Sequence, residues 1–325
     1  MLKNPNDARF MAMAIALSQR GRGRTTSNPN VGCVIVKDGQ VVGRGWTQPG
    51  GRPHAEAMAL TDAGTGANNA DIYVTLEPCA HISERGESCA DLVVAARPAR
   101  VVVANLDPDE RTHRKGVDRM ERAGISVSVG LMETEARQVM AGFFTRMEKG
   151  RPHITLKLAM SLDGCIAMAN GESQWITGSR ARAHTHLERA RSDAILVGSG
   201  TVKADQPGMD VRLEGLEDRN PLPIVLGKAE TLDHWQRIST PSAVSDLENV
   251  NWLLVEGGAA TAASFLQAGL VDRLMIYRAP IVIGGGLPSV REFGLSGLGE
   301  AHGQWELVDR RILDKDSLEI YDRAA

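Results

Sequence analysis

Three residues in the first half of the chain carry side chains that bind zinc: His54, Cys79 and Cys89. One imidazole and two thiolates fill three corners of a tetrahedral zinc site and leave the fourth corner for water. Bound zinc lowers the pKa of that water toward neutrality, so a hydroxide nucleophile becomes available. Glu56 follows the histidine by two positions, close enough to move protons without binding the metal. These residues predict hydrolytic chemistry at a zinc centre, with Glu56 as the catalytic acid and base.

Two other interpretations of the thiols remain open, a purely structural zinc and reduced cysteines in the core. The surrounding pattern favours a reactive site. The stretch 71–76 is typical of a buried strand, and Cys79 follows where that strand gives way to a turn or helix, whose N-terminus would stabilise a thiolate. His54 follows a Gly- and Pro-containing loop and opens a predicted helix that continues to Ala63.

Composition limits the classes of function. A chain of 325 residues is long enough for two domains, and 42% hydrophobic with 24% charged residues is typical of a globular protein. The net charge of −3 and the aromatic content of 4% argue against a nucleic-acid partner. We expect no membrane span, because no apolar run is long enough, and no secretory leader. Four cysteines, two of them assigned to metal, suit a reducing cytoplasm.

The first domain is predicted to span residues 1–148. A helix at 6–20 precedes a hairpin whose turn is Asp38-Gly39, and strands then alternate with helices up to a last helix at 133–146. This order predicts a mixed sheet with helices on both faces. Cys33 lies inside the first strand and is expected in the core. Three arginines at 20, 22 and 24 either bind a phosphate or belong to a solvated loop.

The motifs of this half resemble a known family. The stretch 28–36 (Asn-Pro-Asn-Val-Gly-Cys-Val-Ile-Val), Pro53-His-Ala-Glu, and Leu76-Glu-Pro-Cys followed by His81 look like the bifunctional deaminase–reductases of riboflavin biosynthesis. The His-x-Glu and Pro-Cys elements are also the signature of zinc nucleobase deaminases. The resemblance implies a cytidine-deaminase-like fold that hydrolyses the exocyclic amine of a diaminopyrimidinone ribosyl phosphate. It further implies that Asn28 and His81 contact the pyrimidine and that Arg85 contacts the phosphate.

The sequence departs from the family pattern at several positions. Nine residues separate Cys79 from Cys89, one more than in the pattern, and Glu87-Ser88 replaces the family's prolines. Thr47 stands at a position where the family often has histidine, and the 107–113 loop is divergent. The metal ligands are retained, so zinc chemistry is expected to persist while substrate contacts in these loops differ.

A polar break at 148–152 marks the predicted boundary of a second domain, residues 151–325. Buried strands are predicted at 154–161, 194–198, 250–255 and 273–283, with helices at 180–190 and 259–268, a loop at 199–205, and a hairpin formed by 305–313 and 318–321. Lys157 lies within the first of these strands, where it either points inward to a partner or extends to solvent. The glycine pair Gly257-Gly258 opens a helix and could receive a phosphate. No Gly-x-Gly-x-x-Gly stretch is present, so a Rossmann fold is not indicated.

This half is similar to the reductase domain of the same family, which has a dihydrofolate-reductase-like α/β fold and uses NADPH. The similarity depends on Lys157–Gly164, Ser173–Thr177, Gly198–Asp205, Arg212, Val255–Gly258 and Leu270–Arg273. It implies an NADPH site formed by Ala159, Trp175, Thr201, Asp205, Gly258, Ala259, Ala260, Thr261, Ala262, Ala263 and Ser264. It implies that the ribosyl phosphate is held by Ser173, Arg189, Met209, Arg212 and Glu256, with the arginines as phosphate donors. Gly227, where the family has Asp, is expected to alter the adenosine side of the NADPH site.

The predicted function is therefore two reactions on one small-molecule intermediate, deamination followed by reduction of the ribosyl chain to ribityl. NADPH supplies the hydride, and either Asp205 or Lys157 supplies the proton. One alternative is a nucleoside or tRNA deaminase with a degenerate or NADPH-sensing second domain; another is a non-catalytic zinc protein. The presence of Glu56 argues against the latter, because a structural zinc needs no proton shuttle. A homo-oligomer, either a dimer or a tetramer, is expected.

Overall fold

A computed structural model describes residues 6–81, 86–205, 207–228 and 234–324. Contacts divide the chain into two compact units, Met1–Gly150 and Arg151–Ala325. Each unit has a sheet of its own, and each is described separately below. Of the helices among the described residues, none is both long and apolar enough to cross a bilayer.

The first unit has strands and helices at nearly all the predicted positions. Its strands are β1 (Gly32–Lys37), β2 (Gln40–Trp46), β3 (Asp71–Leu76), β4 (Arg100–Asn105) and β5 (Ser126–Val129). Its helices are α1 (Asp7–Ser18), α2 (Ala55–Ala63), α3 (Cys89–Ala96), α4 (Lys115–Arg122), α5 (Glu133–Val139) and α6 (Ala141–Lys149).

The sheet of the first unit is mixed. The strand order is β2-β1-β3-β4-β5, with β1 antiparallel to both neighbours and β3, β4 and β5 mutually parallel. Asp38 and Gly39 turn the opening hairpin with φ of 51° and 75°, the left-handed conformations that a two-residue hairpin needs. Cys33 is fully buried in β1, as expected of a core residue. The carboxyl ends of β3 and β4 share one edge of the sheet, where the 77–81 and 106–114 loops begin.

One prediction for this unit was wrong in detail. The single helix expected at 133–146 is divided at Met140, which is completely buried. The side-chain amide of Asn30 donates to the carbonyl of Val139 at 3.0 Å and so takes an acceptor from the helix at that point. Of the turn or helix predicted at Cys79, the structure has a loop after β3, and the cysteine at a helix start is Cys89, the first residue of α3.

The second unit is also an α/β structure. Its strands are β6 (His153–Met160), β7 (Cys165–Ala167), β8 (Ala194–Gly198), β9 (Leu222–Leu226), β10 (Gln236–Ile238), β11 (Trp252–Val255), β12 (Arg273–Arg278), β13 (Leu287–Pro288), β14 (Trp305–Leu313) and β15 (Asp316–Arg323). Its helices are α7 (Ser179–Ala190), α8 (Ser199–Asp205) and α9 (Ala259–Gln267). The α/β class predicted for both halves is confirmed.

In the larger sheet of this unit the strand order is β10-β9-β8-β11-β6-β12-β15-β14. The central strands β8, β11, β6 and β12 are parallel, so their carboxyl ends meet at one edge. Their inner faces pack a core that includes Ile154, Leu196 and Phe265. A buried ion pair between Arg151 and Asp272 (2.6 Å) lies where the chain enters this sheet, and Asp272 also accepts the backbone N–H of Ile154.

Two elements of the second unit differ from the prediction. The segment 199–205, expected as a loop, is the helix α8, because Val202 packs into a small core with Ile195 and Val197. The strand expected at 273–283 ends at Arg278. Arg278 pairs with Met160, the last residue of β6, on one side and with Ser317 of β15 on the other. Beyond Arg278 neither neighbouring strand continues the pairing, so the strand ends.

Candidate active site

The three predicted metal ligands converge in the first unit. The ligand atoms of His54, Cys79 and Cys89 all lie within 4.8 Å of one another. His54 Nδ1 is 3.2 Å from Cys89 Sγ and 3.7 Å from Cys79 Sγ. In a tetrahedral zinc site with ordinary bond lengths, a nitrogen and a sulfur ligand are about 3.6 Å apart. The donor set and its spacing therefore fit one zinc ion.

Two helix starts hold two of these ligands, His54 and Cys89, in place. His54 directly precedes α2, and its carbonyl accepts the N–H of Met58 at 3.1 Å. Cys89 begins α3, which is capped by Ser88: the Ser88 hydroxyl accepts the backbone N–H of Asp91 and donates to the Asp91 carboxylate at 2.6 Å. The α3 start thus fixes Cys89 independently of the loop that precedes it.

The two thiols differ in their proton affinity. Hydrogen bonds from the Cys89 thiol, from His54 and from the Cys89 amide lower the pKa of Cys79 to about 4, although burial opposes that change. The hydrogen bond between the two cysteine side chains, together with burial, raises the pKa of Cys89. A cation bound between the two sulfurs would displace the remaining proton, because metal ligands bind as thiolates.

Glu56 lies in the first turn of α2 and is 3% exposed. Burial raises the pKa of its carboxyl group to about 7, and the nearby Cys79 adds to the increase while His54 opposes it. A group with a pKa near neutrality can both accept and return a proton at physiological pH. The position and protonation behaviour of Glu56 suit the shuttle role predicted from sequence.

The predicted pyrimidine contacts lie in loops around this centre. The side chain of Asn28 packs directly on Gly51, in the loop before His54: a Cβ at Gly51 would come within 2.1 Å of Asn28 Nδ2. His81 follows the Cys79 loop, and its Nδ1 lies 3.3 Å from the Thr112 hydroxyl. The prediction for Arg85 falls outside the described residues.

Sequence reasoning missed two buried acids beside the metal ligands. Glu77 is 3% exposed and accepts backbone N–H groups of the 107–117 segment. Asp107 is also buried, and burial raises its pKa to about 6. Glu77 directly follows β3, and Asp107 lies two residues after the end of β4. Acidic residues at the carboxyl ends of parallel strands often lie in a site, and this was the signal that the sequence offered.

In the second unit the predicted substrate residues form a buried charge cluster. Lys157 Nζ lies 3.6 Å from Glu256, so its side chain points inward to a partner rather than to solvent. Arg189 binds both oxygens of Glu256, at 2.7 Å and 3.0 Å. Burial opposes the charge on Glu256, but Lys157 and Arg189 outweigh it and lower the pKa of Glu256 to about 2.

Arg189 is already extensively paired. Besides Glu256, it donates to the carbonyl of Asp210 at 3.0 Å. Arg212 is more accessible, with its side chain 63% exposed and paired only locally with the Asp210 carboxylate in the described contacts. Met209, just before Asp210 in the chain, is buried and has a φ of 52°, whereas Ser173 is exposed. Of the two arginines, Arg212 is better placed to meet a phosphate.

The residues predicted to bind NADPH lie on the carboxyl edge of the second sheet and on the start of α9. Gly258, Ala259, Ala260 and Ser264 are at least partly accessible, whereas Ala262 and Ala263 face the core. Thr261 packs between Gly198 and Gly257; a Cβ at these glycines would approach the Thr261 side chain to 2.2 Å and 2.3 Å. Thr261 thereby holds the start of α9 against the carboxyl ends of β8 and β11. The backbone amides at the start of α9 face this edge of the sheet, and such amides suit a phosphate group.

The other predicted cofactor residues lie in different elements of the second unit. Trp175 is 68% exposed, with the Arg182 guanidinium 4.8 Å from its ring centroid. Ala159 lies in β6 opposite Tyr277, and Thr201 and Asp205 lie in α8. Asp205 is exposed, whereas Lys157 lies inside the charge cluster. The two candidate proton donors therefore occupy different environments.

Each of the two compact units matches the profile of a known protein family. The profile of the cytidine and deoxycytidylate deaminase zinc-binding region matches residues 4–105, and that of the RibD C-terminal domain matches residues 152–312. The riboflavin biosynthesis protein RibD of Escherichia coli is 42% identical over 326 residues, covering 86% of this chain and 89% of that protein. The RibD of Aquifex aeolicus is 37% identical and covers 91% and 92%.

Solved structures give the same result for the complete chain. RibD of Acinetobacter baumannii superposes with a TM-score of 0.88 at 34% identity, covering 98% of this chain and 99% of that one. The Thermotoga maritima protein, named diaminohydroxyphosphoribosylaminopyrimidine deaminase/5-amino-6-(5-phosphoribosylamino)uracil reductase, superposes with a TM-score of 0.86 at 30% identity, with the same coverage.

A zinc-binding deaminase domain followed by a reductase domain defines a bifunctional deaminase–reductase. At these identities and coverages, the chain belongs to the family of the riboflavin biosynthesis protein RibD. It is a bifunctional enzyme of riboflavin biosynthesis, as the sequence motifs predicted, and the alternative of a single deaminase with a degenerate second domain is not favoured.

Proposed function

We propose that the chain deaminates 2,5-diamino-6-ribosylamino-4-pyrimidinone 5′-phosphate and then reduces the ribosyl chain of the product to ribityl. One observation supports the deaminase step. The ligand atoms of His54, Cys79 and Cys89 lie within 4.8 Å of one another, and the buried Glu56 is two residues from the histidine. The substrate is inferred from the name of the Thermotoga maritima protein.

In the first unit, each group has a distinct role in this proposal. His54, Cys79 and Cys89 hold zinc, which when bound supplies Lewis acidity and an acidic water. Glu56 would hold a proton on its carboxyl group and release it to the departing amine, because burial brings its pKa to about 7. Asn28 and His81 orient the pyrimidine, and Arg85 contacts the phosphate.

In the second unit, the proposed cofactor is NADPH, which supplies a hydride to the sugar C1′. The amides at the start of α9, at Gly258, Ala259 and Ala260, receive a cofactor phosphate, and the rest of the cofactor is contacted by Ala159, Trp175, Thr201, Asp205 and Ser264. Thr261, Ala262 and Ala263 are buried and support the start of α9 from the core side. Arg212 binds the substrate phosphate, while Ser173, Met209, Arg189 and Glu256 shape the sugar side of the site.

Of the two proposed proton donors, Lys157 is favoured by its surroundings. Its ammonium lies beside Glu256 and 6.0 Å from the Tyr277 ring centroid, at the carboxyl edge where the sugar would lie. Asp205 lies on the exposed surface of α8, which suits contact with the cofactor better than proton transfer to the sugar.

A single coupled experiment tests the whole proposal. The purified protein is analysed for zinc, then supplied with the diamino substrate and NADPH while ammonia release and NADPH oxidation are followed together. We expect about one zinc per chain and ammonia release that precedes NADPH oxidation. Absence of bound zinc, or NADPH oxidation without ammonia release, would contradict the proposal.

Two predictions about the setting of the enzyme remain open to experiment. A reducing cytoplasm is consistent with the four cysteines, which are all free thiols. A homo-oligomer, either dimer or tetramer, would be tested by light scattering on the purified chain. Neither prediction is needed for the chemistry proposed above.

A further inference from the structure

Glu77, two residues before a metal ligand, has an unusual set of partners. Its side chain is 3% exposed, and both carboxyl oxygens accept backbone N–H groups from one segment across the site. The donors to Oε2 are Asp107 at 3.2 Å and Arg114 at 2.9 Å, and the donors to Oε1 are Gly116 at 3.0 Å and Val117 at 3.1 Å. Four donors on one buried carboxyl group leave it little freedom to move.

The same segment touches the metal-ligand loop at two further points. Gly116 packs against the backbone before Cys79, since a Cβ there would come within 2.0 Å of the Pro78 carbonyl oxygen. The hydroxyl of Thr112, which is 1% exposed, lies 3.3 Å from His81 Nδ1. The segment therefore borders both the zinc ligand Cys79 and the side chain proposed to orient the pyrimidine.

We propose that Glu77 is a positioning residue for the deamination reaction: it fixes the 107–117 segment so that Thr112 holds the His81 ring in the orientation that contacts the pyrimidine. Glu77 is not assigned any contact with substrate or metal. Its effect passes through His81, so it acts on binding of the pyrimidine more than on the chemical step. The inference rests on the substrate proposed above.

Glu77→Gln is the direct test, because it keeps the shape of the side chain and changes one acceptor to a donor. In either orientation of the amide, the new NH₂ group faces two backbone N–H groups, so one pair of hydrogen bonds is lost. We expect KM for the diamino substrate to rise at least about fivefold, while kcat changes less and zinc content stays at the wild-type level. Reduction of pre-deaminated substrate by the same chain should be unchanged and reports that the protein is folded.

Glu110→Gln is the matched control, since it makes the same chemical change on the exposed side of the same segment. A second variant, Thr112→Val, removes the hydroxyl near His81 and should reproduce the KM increase without disturbing Glu77. Unchanged KM in Glu77→Gln, or a fall in kcat that simply follows loss of zinc, would overturn the inference. If the wild type releases no ammonia from the diamino substrate, the proposed substrate is wrong instead, so the two failures are distinguishable.

Discussion

Glu56 is the residue whose environment most directly sets its chemistry. A carboxyl group on the surface would be ionised at neutral pH and would rarely carry a proton to deliver. Burial at the start of α2 raises its pKa to about 7, so both protonation states are populated near the working pH. The sequence identified the residue by spacing alone, but its burial could only be seen once α2 was packed against the sheet.

We expect Glu56→Gln to lower the rate of ammonia release by about 10²- to 10⁴-fold, the usual contribution of a positioned acid–base group. Zinc should be retained, because Glu56 is not one of the three ligands. The measurement is ammonia release at saturating substrate together with metal analysis. Asp62→Asn, on an exposed position of the same helix, should keep near wild-type activity. Full activity in Glu56→Gln with zinc present would remove Glu56 from the mechanism.

Glu256 gives a pH-dependent prediction in the second unit. Its pKa is about 2 in the folded protein against an ordinary value of 4.5, so it contributes stability that is fully present above pH 4.5 and is lost as the pH falls toward 2. Relative to Glu256→Gln, the advantage of the wild type in unfolding free energy should shrink by about 1 kcal/mol between pH 5.5 and pH 3.5.

Urea unfolding at the two pH values measures that difference, and titrations common to both proteins cancel. Glu319→Gln serves as the comparison, because this acid on β15 has longer ion pairs, 3.5 Å to Arg278 and 3.7 Å to Arg310. A wild-type advantage that stays constant across this pH range would show that Glu256 is not held ionised by Lys157 and Arg189.

At the scale of single residues, sequence could name the candidate metal ligands but not the pairing inside the charge cluster of the second unit. The motif spacing gave His54, Cys79, Cys89 and Glu56 because ligand types and distances along the chain constrain zinc sites strongly. It left the direction of Lys157 undecided, since one lysine in a strand suits either face. The Glu256 contact that resolves it joins residues 99 positions apart (256 − 157) and has no local signal.

At the scale of elements, the capped start of α3 holds the second thiolate. Ser88→Ala removes a helix cap that is worth about 1 kcal/mol, and it also removes one of the two acceptors of the Arg119 guanidinium, at 3.0 Å, while Asp91 remains. We expect zinc affinity to fall by about fivefold, measured by competition with a chromophoric chelator. Ser126→Ala, on the exposed strand β5, should leave affinity unchanged. Wild-type affinity in Ser88→Ala would mean that the cap does not position Cys89.

The contact between α9 and the sheet edge gives a second prediction at this scale. Gly198→Ala would place a Cβ within 2.2 Å of Thr261 Oγ1, so the Thr261 side chain, and with it the start of α9, is expected to be displaced. We expect a higher KM for NADPH with deamination unchanged, and recovery in the double variant Gly198→Ala/Thr261→Ala, which removes the conflicting hydroxyl. Gly299→Ala, where an added Cβ meets no atom within 4 Å, is the control. An unchanged KM for NADPH in the single variant would contradict the proposed cofactor edge.

Most elements were predictable, because hydrophobic periodicity and turn residues are local signals. The errors arose where tertiary contacts decide the outcome. The break at Met140 depends on Asn30, more than a hundred positions away, and α8 depends on Val202 finding a core among residues of other strands. Such contacts are properties of the packed unit and not of the segment itself.

At the scale of the whole molecule, the proposed function sets an order for the two reactions. When the diamino compound is supplied to Glu56→Gln, NADPH oxidation should be abolished, because the second unit is proposed to act on the deaminated product. Adding the deaminated compound should restore oxidation at the wild-type rate. Oxidation by Glu56→Gln with the diamino compound alone would show that the second unit accepts both compounds. The assay follows absorbance at the NADPH band in parallel with ammonia.

The capped beginning of α3 has a consequence for the connection between the two cysteines. Because Ser88 and the helix itself locate Cys89, the number of residues between the two cysteines is not what brings their sulfur atoms together. A chain whose connection is one residue longer or shorter is therefore expected to bind the same ion. Metal binding then places little constraint on the length or the composition of that stretch.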